Sequence, residues 1–341
     1  MSHSNKPLAT LSLDLDNLWS YMKTHGDPGW EQYPSYLDLV VPRVLDLLDK
    51  HGLKITFFVV GQDAALEKNR SALARLSAAG HEIGNHSFHH EPWLDLYSRE
   101  RIEAEIDAAE SAIEAATGIL TRGFRGPGFS LSSDVLQILA RRGYEYDAST
   151  FPTFIGPLSR FYYFFHSRLS KEEQEQRSML FGSAKDGFRP LKPYRWRLDE
   201  MSLVELPVTT MPLTRLPFHI SYLHYIAGYS RGLAEFYFRI AIRLCRMTRV
   251  EPSLLLHPLD FIGRDDLDAL QFFPGMSQPC RRKLELVDRM LTIYKETFDV
   301  LPLGVYTGRL AKRAPPRMVD PAFKDRGSGA TGVRSANKQE A

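Results

Sequence analysis

The first 150 residues alternate two hydrophobic periods. Ala9–Leu15 (ATLSLDL) places apolar and polar side chains in turn, the period of a strand. Tyr36–His51 follows with apolar positions at helical spacing, interrupted by Pro42 and closed by Gly52. Ile55–Val60 (ITFFVV) is a continuous apolar run, as expected of a strand covered on both faces. Ser71–Ala79 reads as a short helix stopped by Gly80, and His81–Asn85 as a third strand. Ser98–Thr117 carries the clearest helical pattern and meets a stop at Gly118. Phe124 opens a fourth strand, and Ser132 is placed to cap a helix over Asp134–Arg142. Strand and helix exchanged at this pace predict βα units around a parallel sheet.

After Ser149 the pattern changes. Residues 151–203 are rich in aromatic and charged side chains without a clear period and include Phe161–Phe165 (FYYFF). Ser253–Leu256 reads as a strand, Arg281–Thr297 as a helix and Leu303–Tyr306 as a closing strand. From Lys312 the chain is polar, with seven basic and three acidic residues, the composition of a disordered tail. The predicted organisation is one domain over 1–312 with an insertion at about 151–250, then a basic tail over 313–341. Inside the insertion Arg239, Arg243 and Arg246 share one helical face, set opposite Phe236, Ile240 and Leu244. That face reads either as an interfacial helix for anionic lipid or a lipid pyrophosphate, or as an ordinary helix with a solvated basic side.

Composition narrows the class. Hydrophobic residues at 43% and charged residues at 25% exclude wholesale disorder. Lys and Arg total 43 against 41 Asp and Glu, so no global charge argues for a nucleic-acid partner. Two cysteines, Cys245 and Cys280, cannot build a disulfide framework, which points to a reducing compartment. The polar opening MSHSNKPLA has no apolar core of signal-peptide length, and no apolar run reaches the ~20 residues of a membrane span. The expectation is a soluble cytoplasmic protein, at most peripheral to the inner face of the membrane.

Four of the eleven histidines (His81, His86, His89 and His90) fall within ten residues. On a helical turn His86 and His90 would share one side, within reach of one metal ion. Surface or hydrogen-bonded histidines would give the same letters. Asp14-Leu15-Asp16 adds two carboxylates on one face of a strand, with Leu11, Leu13 and Leu15 on the other. Like charges that close call for a cation, a shared proton or water. Asp16, His86 and His90 form a His₂Asp set, three ligands with an open fourth position, as in catalytic zinc sites. Asp14, beside them, is a candidate general base. A strand end exposing acids to water is the plainer reading of the same pair.

These segments, in order, resemble the polysaccharide deacetylases, also called the NodB-homology or carbohydrate esterase 4 family. Leu11–Asp16 is similar to the motif holding the base and an acidic metal ligand, and His86–His90 to the H-[ST]-x-x-H motif. Phe124–Gly128 resembles the segment whose arginine, here Arg125, orients the base, with Pro127 beside it. Tyr146–Ser149 resembles the groove-lining D-x-S segment, which makes Asp147 and Ser149 substrate contacts. Leu254–His257 is similar to the last motif, whose histidine is the general acid. Thr56–Gly61 and Glu205–Val208 are similar to strands of the family. One departure is Leu15 between the two aspartates, where many members have them adjacent; the assignment is Asp16 to metal and Asp14 to base. The resemblance implies an α/β fold, a distorted (β/α) barrel of about seven parallel strands, here with the long aromatic and basic insertion. It also implies a divalent metal, zinc by expectation, and hydrolysis of an amide on an N-acylated aminosugar by N-deacetylation or N-deformylation. A nucleotide- or lipid-linked sugar of surface-glycan metabolism suits the absent signal segment. Alternatives are an amidohydrolase of small linear or cyclic amides and a carbohydrate-binding member without turnover.

Overall fold

The computed structural model describes residues 6–155, 187–267, 270, 271, 273, 275–321 and 323. The first strand, β1 (Leu8–Asp14), is buried along its whole length. It pairs in parallel with β2 (Thr56–Val59), and β2 with β3 (Glu82–Asn85). The order continues through β4 (Gly123–Phe124) and β5 (Tyr146–Asp147), each parallel to the last. Between these strands run α1 (Leu18–His25), α2 (Leu37–Lys50), α3 (Gly61–Ala65), α4 (Glu67–Ala78), α5 (Arg99–Thr117) and α6 (Ser133–Arg141). The expected cap and stop are in place: Ser132 accepts a hydrogen bond from the first turn of α6, and Gly118 closes α5 at φ 71°; Ser98, read as the first residue of α5, is its N-cap.

The second half supplies β6 (Tyr194–Leu198), β7 (Met201–Glu205), α7 (Ile220–Tyr229), α8 (Arg231–Met247) and β8 (Ser253–Leu256). After them come α9 (Cys280–Thr297), β9 (Asp299–Leu301), α10 (Leu303–Leu310) and β10 (Met318–Val319). The strand order is β10-β6-β7-β5-β4-β3-β2-β1-β8, with β9 also on β1. Only β6 and β10 run against the direction shared by the other eight of the ten strands. The predicted α/β class with a mainly parallel sheet is what is found. Among the described residues no ladder joins β8 to β10.

Three local expectations are corrected. Leu303–Tyr306 is the start of helix α10, and the last parallel strand is Asp299–Leu301. Pro302 cannot donate to a ladder and sits at the helix N-cap, after which Leu303, Tyr306 and Thr307 are buried at helical spacing. The stretch without a clear period contains the β6–β7 hairpin. There Tyr194, Trp196 and Leu198 alternate inward against Arg195 and Arg197, a period of two present in the sequence. The tail boundary at 312 also moves: Arg313 pairs with Glu251 at 2.9 Å, and Met318–Val319 adds a strand beside β6. The Phe161–Phe165 run lies outside the described residues.

Candidate active site

The parallel strands all end on one rim, and their register gathers the chemistry there. Leu13 pairs with Leu256, and Asn85 with Phe124. One residue further on, Asp14 therefore stands beside His257, and His86 beside Arg125. Ser12 and Asp14 point to the same face of β1. Arg125 Nη1 donates to Asp14 Oδ1 at 2.6 Å and to Ser12 Oγ at 2.9 Å, while its Nε donates to the Ala148 carbonyl at 2.9 Å. The guanidinium is fully buried and lies 4.3 Å from the centre of the Phe58 ring. A cation so enclosed needs a partner, and Asp14 is it.

Asp16 follows just beyond the strand. Its Oδ1 lies 3.0 Å from His90 Nε2 and 3.3 Å from His86 Nε2. His86 Nδ1 donates to the Arg125 carbonyl at 2.6 Å, which turns Nε2 toward Asp16. Burial raises the proton affinity of Asp16, yet the imidazoles of His90 and His86 hold its carboxyl well below the usual carboxylate range. All three residues are buried, and their donor atoms lie within 4.8 Å of one another. The 3.0 and 3.3 Å separations are close to the ~3.3 Å edge that bonds of about 2.0–2.1 Å make around a tetrahedral ion. Two imidazole nitrogens and a carboxylate oxygen converging in a buried spot fit a small divalent cation.

The histidine pair is not on a helical turn. Residues 86–90 form a loop after β3, with Ser87 at φ 60° and His90 at φ 52°. Glu105 of α5 braces it: Oε2 accepts from the Phe88 and His89 backbone at 3.2 and 3.0 Å, and Oε1 meets His89 Nδ1 at 2.5 Å. His89 is thereby bound to Glu105, outside the ligand set. Sequence reading passed over Glu105, although an acidic residue between the buried Ile102, Ile106 and Ala109 of one helix face is a visible signal. It also passed over Asp63, whose Oδ1 accepts from Asn17 Nδ2 at 2.7 Å and Trp19 Nε1 at 2.9 Å, tying the segment after Asp16 to α3. Burial pushes the Asp63 carboxyl up to about 7.

Across the rim, His257 is half-buried at the start of a turn of 3-10 helix, Pro258–Phe261. Its backbone N–H donates to Asp260 Oδ2 at 2.8 Å. Ser221 Oγ donates to Asp260 Oδ1 at 2.8 Å and lies 3.1 Å from His257 Nδ1. With the serine proton committed to the carboxylate, its oxygen accepts from Nδ1–H, which leaves Nε2 outside these bonds. Half-buried rings link the two walls: Phe129 stacks on Phe151 at 4.9 Å, Phe151 meets His219 at 5.7 Å, and His219 meets His257 at 6.1 Å.

The remaining expected site residues sit behind this rim. Pro127 is buried at the start of the Pro127–Phe129 turn. Ser149 Oγ donates to Asp147 Oδ1 at 2.6 Å and accepts from Gly126 N–H at 2.8 Å. Asp147 and Ser149 are both buried, and these bonds brace the Arg125–Pro127 segment. Glu205 accepts from Thr150 and from Trp196 Nε1 at 2.8 Å; burial and the neighbouring Asp147 push its carboxyl well above the usual range.

Residues 27–146 match the family described as Polysaccharide deacetylase. That part of the chain is similar to the polysaccharide deacetylases. The chain is 37% identical over 105 residues to the peptidoglycan-N-acetylmuramic acid deacetylase PdaA of Bacillus subtilis, covering 30% of this chain and 39% of that protein. It is 38% identical over 104 residues to a chitooligosaccharide deacetylase of Sinorhizobium fredii, covering 30% and 46%. The chain thus spans less than half the length of these curated relatives. A solved structure from Mycobacterium smegmatis described as a polysaccharide deacetylase aligns with 95% of this chain and 97% of that one. Its TM-score is 0.54 at 19% identity, a likeness of fold. The matched segment holds His86, His90 and Arg125, while Asp14, Asp16 and His257 lie outside it.

Proposed function

We propose that the protein is a metal-dependent amide hydrolase that removes an N-acyl group, acetyl or formyl, from an aminosugar. The observation that carries this is the meeting of Asp16, His86 and His90 on the rim where Arg125 holds Asp14. Asp16, His86 and His90 would hold a divalent ion, zinc by preference, and the ion would supply Lewis acidity toward the acyl oxygen and the attacking water. Asp14 is the general base. Its Oδ1 is taken by Arg125, so Oδ2 receives the proton as water adds to the carbonyl carbon. His257, aimed through Ser221 and Asp260, delivers a proton from Nε2 to the amine nitrogen as the C–N bond breaks. The products are a free amine and a short carboxylic acid. Pro127, with the bracing pair Asp147 and Ser149, shapes the approach to Arg125. The half-buried Phe129 and Phe151 rings offer the apolar face on which a sugar stacks.

A sugar carried on a nucleotide or a lipid phosphate in surface-glycan assembly, handled in the cytoplasm, is the proposed substrate. The test is amine and acid release by protein loaded with each divalent ion in turn. The substrates offered are N-acetylglucosamine oligomers, nucleotide-linked and lipid-phosphate-linked N-acylaminosugars, and small linear and cyclic amides. Release from an N-acylaminosugar is expected, lost on chelation and restored by the ion. Turnover of small amides alone, or none with any substrate, overturns the reading.

A further inference from the structure

Helix α8 departs from its expected orientation. Ala234, Phe238, Ala241, Ile242 and Cys245 are buried and seat the helix against its neighbours α7 and α9. Phe236 and Ile240 were expected to lie opposite the arginines; they lie beside them, in solvent. Leu233, Phe236, Ile240 and Met247 follow one another by three, four and seven residues, so they line up along the helix. They are 52%, 61%, 37% and 69% exposed. Arg239, Arg243 and Arg246 run alongside, all exposed. Arg239 is paired with Glu235, whereas Arg243 and Arg246 make no ion pair among the described residues. No acidic residue occurs from Phe236 to Val250. The preceding helix adds the exposed Tyr225 and Tyr229, whose rings meet edge to face at 5.5 Å.

Each stripe alone has an ordinary explanation; their adjacency does not. A row of large apolar side chains held in water is a surface that association covers. The arginines flank the C-terminal half of that row on one side, so whatever covers it is anionic along a line of ~10 Å, the rise from Arg239 to Arg246. A sheet of phosphate headgroups over hydrocarbon meets both demands together: guanidinium groups take the phosphates, and Leu, Phe, Ile and Met enter the acyl boundary. We infer that the outer face of α8 lies flat on an anionic phospholipid surface. No helix among the described residues is long and apolar enough to cross a membrane. The inference stands independently of the proposed hydrolysis, because it uses none of the same residues.

The test is sedimentation of the whole protein with phosphatidylcholine vesicles and with vesicles in which part of that lipid is replaced by phosphatidylglycerol. Binding is expected to the anionic vesicles only and to weaken as salt is raised. Arg243→Glu with Arg246→Glu, and separately Phe236→Ser with Met247→Ser, should each reduce binding on the order of tenfold or more. Both pairs of sites are exposed, so the melting temperature and hydrolysis of a water-soluble substrate should hold. Binding to neutral vesicles as strong as to anionic ones, or vesicle binding untouched by both double variants, overturns the inference. So does light scattering that finds a dimer which Phe236→Ser with Met247→Ser converts to a monomer, since a second copy would then occupy the face.

Discussion

The two walls of the site are built on different physics. The β1–β3–β4 wall is a closed network of buried charge: Arg125 with Asp14, and Asp16 with His86 and His90, joined where His86 donates to the Arg125 carbonyl. The β8 wall is a short hydrogen-bonded chain from the half-buried His257 through Ser221 to the buried Asp260 carboxylate, assembled from a helix and a turn. In the first wall each member balances another, so removing one strands a buried charge. In the second, removing the hydroxyl frees His257 Nδ1 and one oxygen of Asp260, whose other oxygen keeps the His257 N–H. On the proposed function, the first wall would hold the cation and the base, and the second the proton donor.

The largest effect is expected in the first wall. His86→Ala or His90→Ala should abolish both bound divalent metal and turnover, whereas His89→Ala, with its side chain on Glu105, should keep them. Elemental analysis of the purified variants decides this, and a metal-replete His86→Ala enzyme would break the comparison. Asp14→Asn should retain metal yet lose on the order of 10²–10⁴ in turnover, the usual cost of removing a general base. Arg125→Ala should cost about 3–5 kcal/mol of stability by leaving Asp14 buried and unpaired, read as a lowered denaturant midpoint.

Smaller effects sharpen the contrast. Away from the rim, His81 accepts the Ile55 N–H at 3.2 Å, and burial depresses it to about 4. An imidazole depressed below its unfolded value favours the fold while neutral. Its contribution is complete above about pH 6.5 and is lost as pH falls through 4, at most about 3 kcal/mol. His81→Gln should flatten that part of the stability profile in urea titrations. Ser221→Ala should lower turnover by about tenfold, far less than Asp14→Asn, with metal content unchanged, because it removes the two hydrogen bonds that link His257 to Asp260 and touches none of the proposed metal ligands. A change in the pH profile without a change in metal would place the effect on His257. The smallest effect concerns the tail: truncation after residue 323 should leave the melting temperature unchanged. Truncation before Arg313 should cost about 1 kcal/mol, since it removes an exposed ion pair and a two-residue strand.

Legibility followed the same division. Asp14, Asp16, His86 and His90 could be nominated from letters, because strand alternation and ligand spacing are local rules. The reason given for the histidines was nonetheless wrong: a left-handed His90 and a brace from Glu105 bring them together, and no local period reports either. The β6–β7 hairpin was readable in YRWRL and was missed among its charges. The Ser221–Asp260 support of His257 spans 36 and 39 residues in sequence and carries no pattern at all.

By itself the sequence determined which side chains were available and which segments would be strands or helices, since periodicity and capping act over a few residues. It therefore settled the α/β class. Only the tertiary structure decided that Asp147 and Ser149 brace Arg125, and that Phe236 and Ile240 of α8 face solvent beside the arginines. A helix has several possible inward faces, and which one is buried depends on the shape of the neighbours it meets. That shape is fixed by residues far away in the chain.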